Sequence, residues 1–268
     1  MISYIGGKKF HAKYILPEFP NHFDGYCEPF SGAFWIYIQS EMTKSSIIYN
    51  DVNSQMVNLF KCCSINPHRM KKELEKHRPQ DPELFIRFRD EIFNIGIESR
   101  IDEPDFDIAA KFAYIQTQIF AGNTLSNKSK ITILDRSKYR SKYEQLIDKL
   151  KNPKILNSLS KITDFENLDF EDCIRKHDRD GMLFYIDPPY FDCERYYTIG
   201  KKDIHNRLSE CINTVKGKVI ISYYEFDGLR KMYSSDKFNF VKYGINCQNG
   251  NRLKKHSSKR EEILIKNF

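Results

Sequence analysis

Leu183-Phe184-Tyr185-Ile186-Asp187-Pro188-Pro189-Tyr190 carries the pattern that decides how this chain reads. Its four leading apolar residues describe a short strand buried on both faces, since no polar residue alternates with them. Such a strand delivers Asp187 to its carboxyl end, where open α/β sheets bind ligands. The two prolines fix the backbone and remove two N–H donors beside the carboxylate. The Pro188 carbonyl is left as an acceptor, and Tyr190 adds an aromatic face. Two acceptors and a stacking ring suit a planar heterocycle with an exocyclic amine. The amine nitrogen of adenine is a weak nucleophile because its lone pair is delocalised into the ring. Acceptors aimed at both of its hydrogens favour a pyramidal nitrogen, with the lone pair turned toward an incoming methyl group. That would be catalysis by position and preorganised electrostatics rather than by a covalent intermediate. A plain strand ending in an Asp-Pro turn is the competing reading. The apolar run before it and the aromatic after it weigh against that.

Outward from this strand, further short apolar runs read as buried strands at 25–28, 47–50, 218–223 and 262–266. Helical periodicity fills the spaces between. Met56, Leu59, Phe60 and Cys63 repeat at helical spacing after Asn53, a residue suited to capping a helix start. Phe85, Phe88 and Ile92 form a second stripe. Ile108, Phe112, Ile115 and Ile119 form a third, and Tyr139, Tyr143, Leu146, Ile147 and Leu150 a fourth. These stripes are read as core faces and given no chemistry. Strands cluster toward both ends and alternate with helices, which predicts a mainly parallel sheet in an α/β fold. The helical middle, 66–164, reads as an insertion between a first half at 1–65 and a second at 165–268. No internal repeat or low-complexity linker interrupts this plan.

Two more strand ends carry ligand chemistry. In Tyr26-Cys27-Glu28-Pro29-Phe30-Ser31-Gly32-Ala33 a strand meets an acid and then a tight turn. Glycine in that turn lets backbone approach a ligand closely. In Ile47-Ile48-Tyr49-Asn50-Asp51 a carboxylate follows about 20 residues later, the spacing at which nucleotide-binding folds hold ribose hydroxyls. Near the chain start, Tyr4-Ile5-Gly6-Gly7-Lys8 offers a turn with one lysine that could meet an anionic group such as a methionine carboxylate.

The formal net charge is +7, unevenly distributed. From Leu125 to Lys161 ten Lys or Arg face three acids. Such an excess attracts a polyanion, nucleic acid above all, although a solvated lysine-rich face reads the same in sequence. Seven cysteines, with no CxxC pair, argue against a disulfide framework and against a zinc site. No run of apolar residues is long enough to span a membrane, and the first residues lack the apolar core of a secretory signal. A cytoplasmic protein of a prokaryotic or phage-infected cell is the expectation, with no metal and no membrane partner.

Taken in order, these motifs resemble the DNA adenine methylase (Dam) family through most of the chain. Tyr4-Ile5-Gly6-Gly7-Lys8 is similar to its N-terminal motif, Glu28-Pro29-Phe30-Ser31-Gly32 to its first cofactor loop, and Asn50-Asp51-Val52-Asn53 to its ribose-binding acid. Asp169-Phe170 resembles the pair that flanks the cofactor adenine, and Asp187-Pro188-Pro189-Tyr190 the catalytic motif. Ile220-Ile221-Ser222-Tyr223 and Glu261-Glu262-Ile263-Leu264-Ile265-Lys266-Asn267 look like its next core strand and its closing strand.

The resemblance implies a Rossmann-like methyltransferase sheet of seven strands, the last antiparallel, with a mostly helical target-recognition insertion. It implies S-adenosyl-L-methionine as methyl donor, held by Tyr4, Lys8, the Glu28–Gly32 loop, Asp51, Asp169, Phe170 and Asp187. It also implies site-specific N6 methylation of an adenine flipped out of double-stranded DNA. Asn123, Asn127, Lys128, Lys130 and Arg136 of the insertion are the DNA-contact candidates, since Asn and Arg read base edges and Lys holds phosphates. A cognate restriction endonuclease is a candidate partner. Two departures stand out. Phe34 occupies the place of the family's second loop glycine, and only Phe120-Ala121-Gly122-Asn123 resembles the family's recognition elements. The same chemistry on RNA or on a protein amide, and a catalytically inactive DNA-binding relative, are the alternatives carried forward.

Overall fold

The computed structural model describes residues 2, 7–96, 99, 101–119, 128–132, 140–191, 203–244 and 261–268. Seven strands form one sheet: β1 (Gly25–Glu28), β2 (Ser46–Asn50), β3 (Asp164–Glu166), β4 (Met182–Ile186), β5 (Lys218–Tyr224), β6 (Asn239–Gly244) and β7 (Glu261–Lys266). Their spatial order is β3-β2-β1-β4-β5-β7-β6. β1 to β5 pair in parallel, whereas β7 runs antiparallel between β5 and β6. This is the expected Rossmann-like methyltransferase sheet with its last strand antiparallel.

The central strands are apolar because helices cover both sheet faces. All residues of β1 and β4 are buried. One apolar cluster lies on each side: Cys27, Ile48, Phe184, Ile186 and Ile221 on one, and Tyr26, Tyr49, Leu183, Tyr185 and Ile220 on the other. Residues of opposite parity fall in opposite clusters, as the two-residue period of a strand requires.

The helical stripes expected from sequence are present. Helix Ser54–Ile65 starts at Asn53, whose side chain accepts hydrogen bonds from the Gln55 and Met56 amides. Helices Pro82–Ile95, Phe106–Gln118 and Lys142–Lys149 bury Phe85, Phe88, Ile92, Phe112, Ile115, Tyr143 and Leu146. Tyr139 lies outside the described residues. These side chains join the same apolar cluster as Tyr26 and Leu183, so the middle of the chain and one sheet face share a core. Helix Phe106–Gln118 packs against Ser54–Ile65 at that junction.

The seven-strand order fixes where ligands can sit. The parallel strands end together at Glu28, Asn50 and Ile186, so Glu28, Asp51 and Asp187 share one sheet edge. β7 runs the other way, so its first residues reach that edge too: Glu262 lies opposite Tyr224 and Tyr243 in the register.

Candidate active site

The loop after β1 is built around buried carboxylates. Glu28 is buried and accepts hydrogen bonds through Oε1 from the Tyr26 hydroxyl at 2.7 Å and the Tyr37 amide at 3.1 Å. Burial pushes its carboxyl up to about 8, against the pull of those two donors. Ser31 Oγ donates back to the Glu28 carbonyl at 2.7 Å and closes the turn. Gly32 adopts φ +47°, where a side chain is disfavoured. Its amide donates to Asp51 Oδ2 at 2.9 Å, and the Asn53 amide donates to Oδ1 at the same distance. Asp51 therefore ties the β1 loop to the β2 loop. Burial raises its carboxyl to about 6 although both oxygens accept backbone hydrogen bonds.

Phe34 adopts a backbone conformation that ordinarily favours glycine. Its φ is +54°, a left-handed conformation that costs a non-glycine residue about 1–2 kcal/mol. The ring is buried and packs against Tyr37 at 4.6 Å and Tyr49 at 5.0 Å between centroids. Burying an aromatic ring contributes about 1.5–3 kcal/mol, enough to offset the strain. The departure from the family pattern thus places a phenylalanine at a left-handed position of the loop, held there by its packing.

At the end of β4, Asp187 lies 2.9 Å from Lys8 Nζ, itself only 6% exposed. The distance makes an ion pair, but Asp187 Oδ1 is buried without a directed hydrogen bond among the described residues. Burial lifts the Asp187 carboxyl to about 6, with Lys8 opposing the rise and Glu262 adding to it. The Lys8 ammonium also donates to the Tyr190 hydroxyl at 2.5 Å and lies 4.4 Å from that ring's centroid. The hydroxyl in turn donates to Glu262 Oε2 at 2.5 Å, with Ser222 Oγ 3.4 Å away. The ring stands edge-on to Tyr224 at 5.1 Å. Tyr190 is thus held by its tip and its edge. The Pro188 carbonyl accepts no hydrogen bond among the described residues.

Asp169 caps helix Phe170–His177 through the Glu171 amide and pairs with Arg207 at 2.8 Å. Phe170 stacks on Phe30 at 5.2 Å with 25° between planes, which brings the Asp169-Phe170 segment against the β1 loop. Pro29 joins the same corner, since its carbonyl accepts from Asn50 Nδ2 at 2.8 Å.

The sequence-derived candidates Glu28, Pro29, Phe30, Ser31, Gly32, Asp51, Asp169 and Phe170 thus assemble around β1 and β2. Lys8, Asp187, Pro188, Pro189 and Tyr190 assemble at the end of β4. Tyr4, Asn123, Asn127 and Arg136 lie outside the described residues. Lys128 and Lys130 are exposed. Sequence reasoning missed Glu262 and Ser222. A signal for Glu262 existed: a strand predicted to be antiparallel must bring its first residues to the edge where parallel strands bring their last. No grouping of His, Cys, Asp and Glu suited to a metal occurs among the described residues.

A family model described as D12 class N6 adenine-specific DNA methyltransferase matches residues 4–245. The chain belongs to this family. The match runs across the sheet edge, the helical middle and the β4 corner together. The chain is also similar to the type II methyltransferase M1.LlaDCHI of Lactococcus lactis subsp. cremoris, 25% identical over 292 aligned positions. That alignment covers 99% of this chain and 94% of the relative. This D12 class protein is an adenine-specific DNA methyltransferase, and DNA rather than RNA or a protein amide is its substrate. The Dam-like reading of the motifs is borne out at the level of family, activity and sheet.

Proposed function

We propose that Asp187, Pro188 and Tyr190 grip the amine of an adenine flipped out of double-stranded DNA, and that S-adenosyl-L-methionine is the methyl donor bound beside it. The observation that carries this reading is the Asp187 carboxylate, held in place by the Lys8 ammonium at 2.9 Å and followed by buried Pro188, whose carbonyl accepts no hydrogen bond among the described residues. A buried acceptor that lacks a donor is costly unless a ligand supplies one. Two N–H groups of an exocyclic amine would satisfy both acceptors. The Tyr190 ring, fixed through Glu262 and Tyr224, would lie against the base.

The same edge fits the donor. Three carboxyl groups there, Glu28, Asp51 and Asp187, are buried at one sheet edge and held partly neutral by that burial, and a cation placed among them would favour their ionised forms. When bound, S-adenosyl-L-methionine supplies a methyl group on a positively charged sulfur. Glu28 and Asp187 would face its cationic groups, Asp51 its ribose, and Phe30, Asp169 and Phe170 its adenine. Tyr4 is proposed to join them. As N6 gains the methyl group it must lose a proton, and Asp187 is positioned to receive or relay it.

We assign the segment 66–164 the role of target-recognition insertion between the catalytic halves 1–65 and 165–268, with Asn123, Asn127, Lys128, Lys130 and Arg136 as its DNA contacts. No described helix is long and apolar enough to cross a membrane. A cytoplasmic setting where DNA is accessible, and pairing with a cognate restriction endonuclease, complete the reading.

Sequencing host DNA with a modification-sensitive method tests it. Expression of the chain is expected to place N6-methyladenine at one short motif. Asp187→Ala is expected to lower transfer by about a thousandfold or more, the scale of losing a preorganised acceptor. Its DNA affinity should stay near that of the parent chain. Full methylation by Asp187→Ala would refute the assigned role.

A further inference from the structure

Lys9, Trp35, Lys142 and Lys149 converge beside the turn that carries Lys8. Trp35 opens helix Trp35–Ser40, directly after the β1 loop, so it stands toward the ligand-binding edge of the sheet. Lys9 Nζ lies 5.2 Å from the centroid of its ring and Lys149 Nζ 5.3 Å from the same centroid. Two ammonium groups are thus held against one half-buried indole. Burial, then Lys9 and Lys142, push the Lys149 ammonium down to about 8. Phe10, 76% exposed, extends the aromatic surface 6.0 Å from Lys9 Nζ.

Nearby acids are engaged elsewhere. Glu41 pairs with Lys154 at 2.9 Å, and Asp148 pairs with Lys151 at 3.2 Å and with Arg140. Among the described residues no carboxylate pairs with Lys9 or Lys142. The ammonium groups of Lys9 and Lys142, set beside that of Lys149, create a local positive field that attracts an external anion. Ammonium groups interleaved with aromatic rings are what a nucleic-acid strand meets in backbone-tracking grooves.

The position suits that partner. Lys9 follows Lys8 in the chain, and Lys8 Nζ touches Asp187. The Lys9 backbone therefore lies within about 10–15 Å of the catalytic carboxylate, from one Cα–Cα step and one lysine reach. Phosphates next to an extruded nucleotide fall in that range.

We propose that Lys9, Lys142 and Lys149, braced on Trp35, form a seat for the DNA phosphodiester backbone beside the adenine held at Asp187. The seat reads no bases and adds affinity equally on all sequences. It rests on DNA being the substrate and is separate from the recognition contacts assigned to the insertion.

Trp35 is the chain's one tryptophan, so its emission reports on this seat alone. The full chain is titrated with a mixed-sequence, end-labelled DNA duplex. Label anisotropy gives binding, and Trp35 emission is followed in parallel. Emission is expected to change as the duplex binds and to revert with added salt. In the double variant Lys9→Gln/Lys149→Gln, log K against log salt is expected to be shallower by about 2, since each phosphate contact adds about 0.9 to the slope. Lys9→Arg/Lys149→Arg keeps the charges and should keep the parental slope, which separates lost charge from damaged packing. A parental slope in the Gln variant, or unchanged Trp35 emission while anisotropy reports binding, overturns the seat and leaves the DNA substrate standing. No anisotropy change with the parent chain would overturn both.

Discussion

Asp51 and Asp187 occupy equivalent places at the ends of β2 and β4, the parallel strands on either side of β1, and burial raises both carboxyls to about 6. Their surroundings differ. Asp51 accepts two backbone amides, one from each of the loops it joins. Asp187 is held by an ion pair with Lys8, and its Oδ1 has no directed hydrogen bond among the described residues. A similar titration shift therefore marks two different settings. At β2 the carboxylate braces two loops through hydrogen bonds built into the chain, the setting in which we propose that it meets a ribose. At β4 the carboxylate proposed to accept the target amine is held by charge instead. What separates the two is the kind of partner on the oxygens rather than the shift itself.

The contrast can be broken by measurement. The largest effect is expected at Phe34, whose ring anchors the braced loop. Phe34→Ala should cost about 3–5 kcal/mol of unfolding free energy, the usual range for truncating a buried aromatic, read by urea denaturation. A loss below about 1 kcal/mol would mean that the loop holds itself without the ring.

Next comes a dependence on pH. The folded-state value for Glu28 is about 8, above its ordinary value of 4.5, so the folded chain binds more protons than the unfolded one between those limits. Glu28 should therefore make stability fall as pH rises from about 5 to about 8, by up to roughly 1.4 kcal/mol per unit. Asp51 and Asp187 contribute in the same direction between their ordinary value of 3.8 and about 6. Glu28→Gln should flatten the decline above pH 6. An unchanged slope would show that Glu28 is ionised in the folded protein at neutral pH.

The smallest effect sharpens the comparison most. Asp51→Ala leaves two buried amides without acceptors and should cost about 1–3 kcal/mol. Asp187→Ala leaves the buried Lys8 ammonium without its carboxylate, a loss that removing the lysine charge as well, in Lys8→Met/Asp187→Ala, should partly restore. A double variant no more stable than Asp187→Ala would show that the ion pair is not what distinguishes this corner from the braced one.

The two corners were unequally legible in sequence. β1, β2, β4, β5 and β7 announced themselves as apolar runs because helices cover both of their faces. β3 has only three residues, none of them buried, and β6 is an edge strand mixing Asn239 and Lys242 with apolar residues, so neither produced a run. Asp187-Pro188-Pro189-Tyr190 was readable as chemistry because its parts are contiguous. Its supports were not, since Lys8 reaches Tyr190 across 182 positions and Glu262 across 72. Such contacts follow from strand order, and strand order is absent from any local pattern. The left-handed conformation at Phe34 was equally hidden. A phenylalanine ordinarily argues against positive φ, and only a deep aromatic pocket reverses that preference.

Strand β7 also has a temporal consequence. It is the last of the seven strands to leave the ribosome, yet it lies second from the edge, as the partner that joins β6 to β5. A nascent chain can hold every catalytic motif while β6 still lacks its neighbour and Tyr190 still lacks Glu262. Activity should therefore switch on only once β7 has been made, and fragments cut short before residue 261 should be inert toward the genome of the cell that makes them.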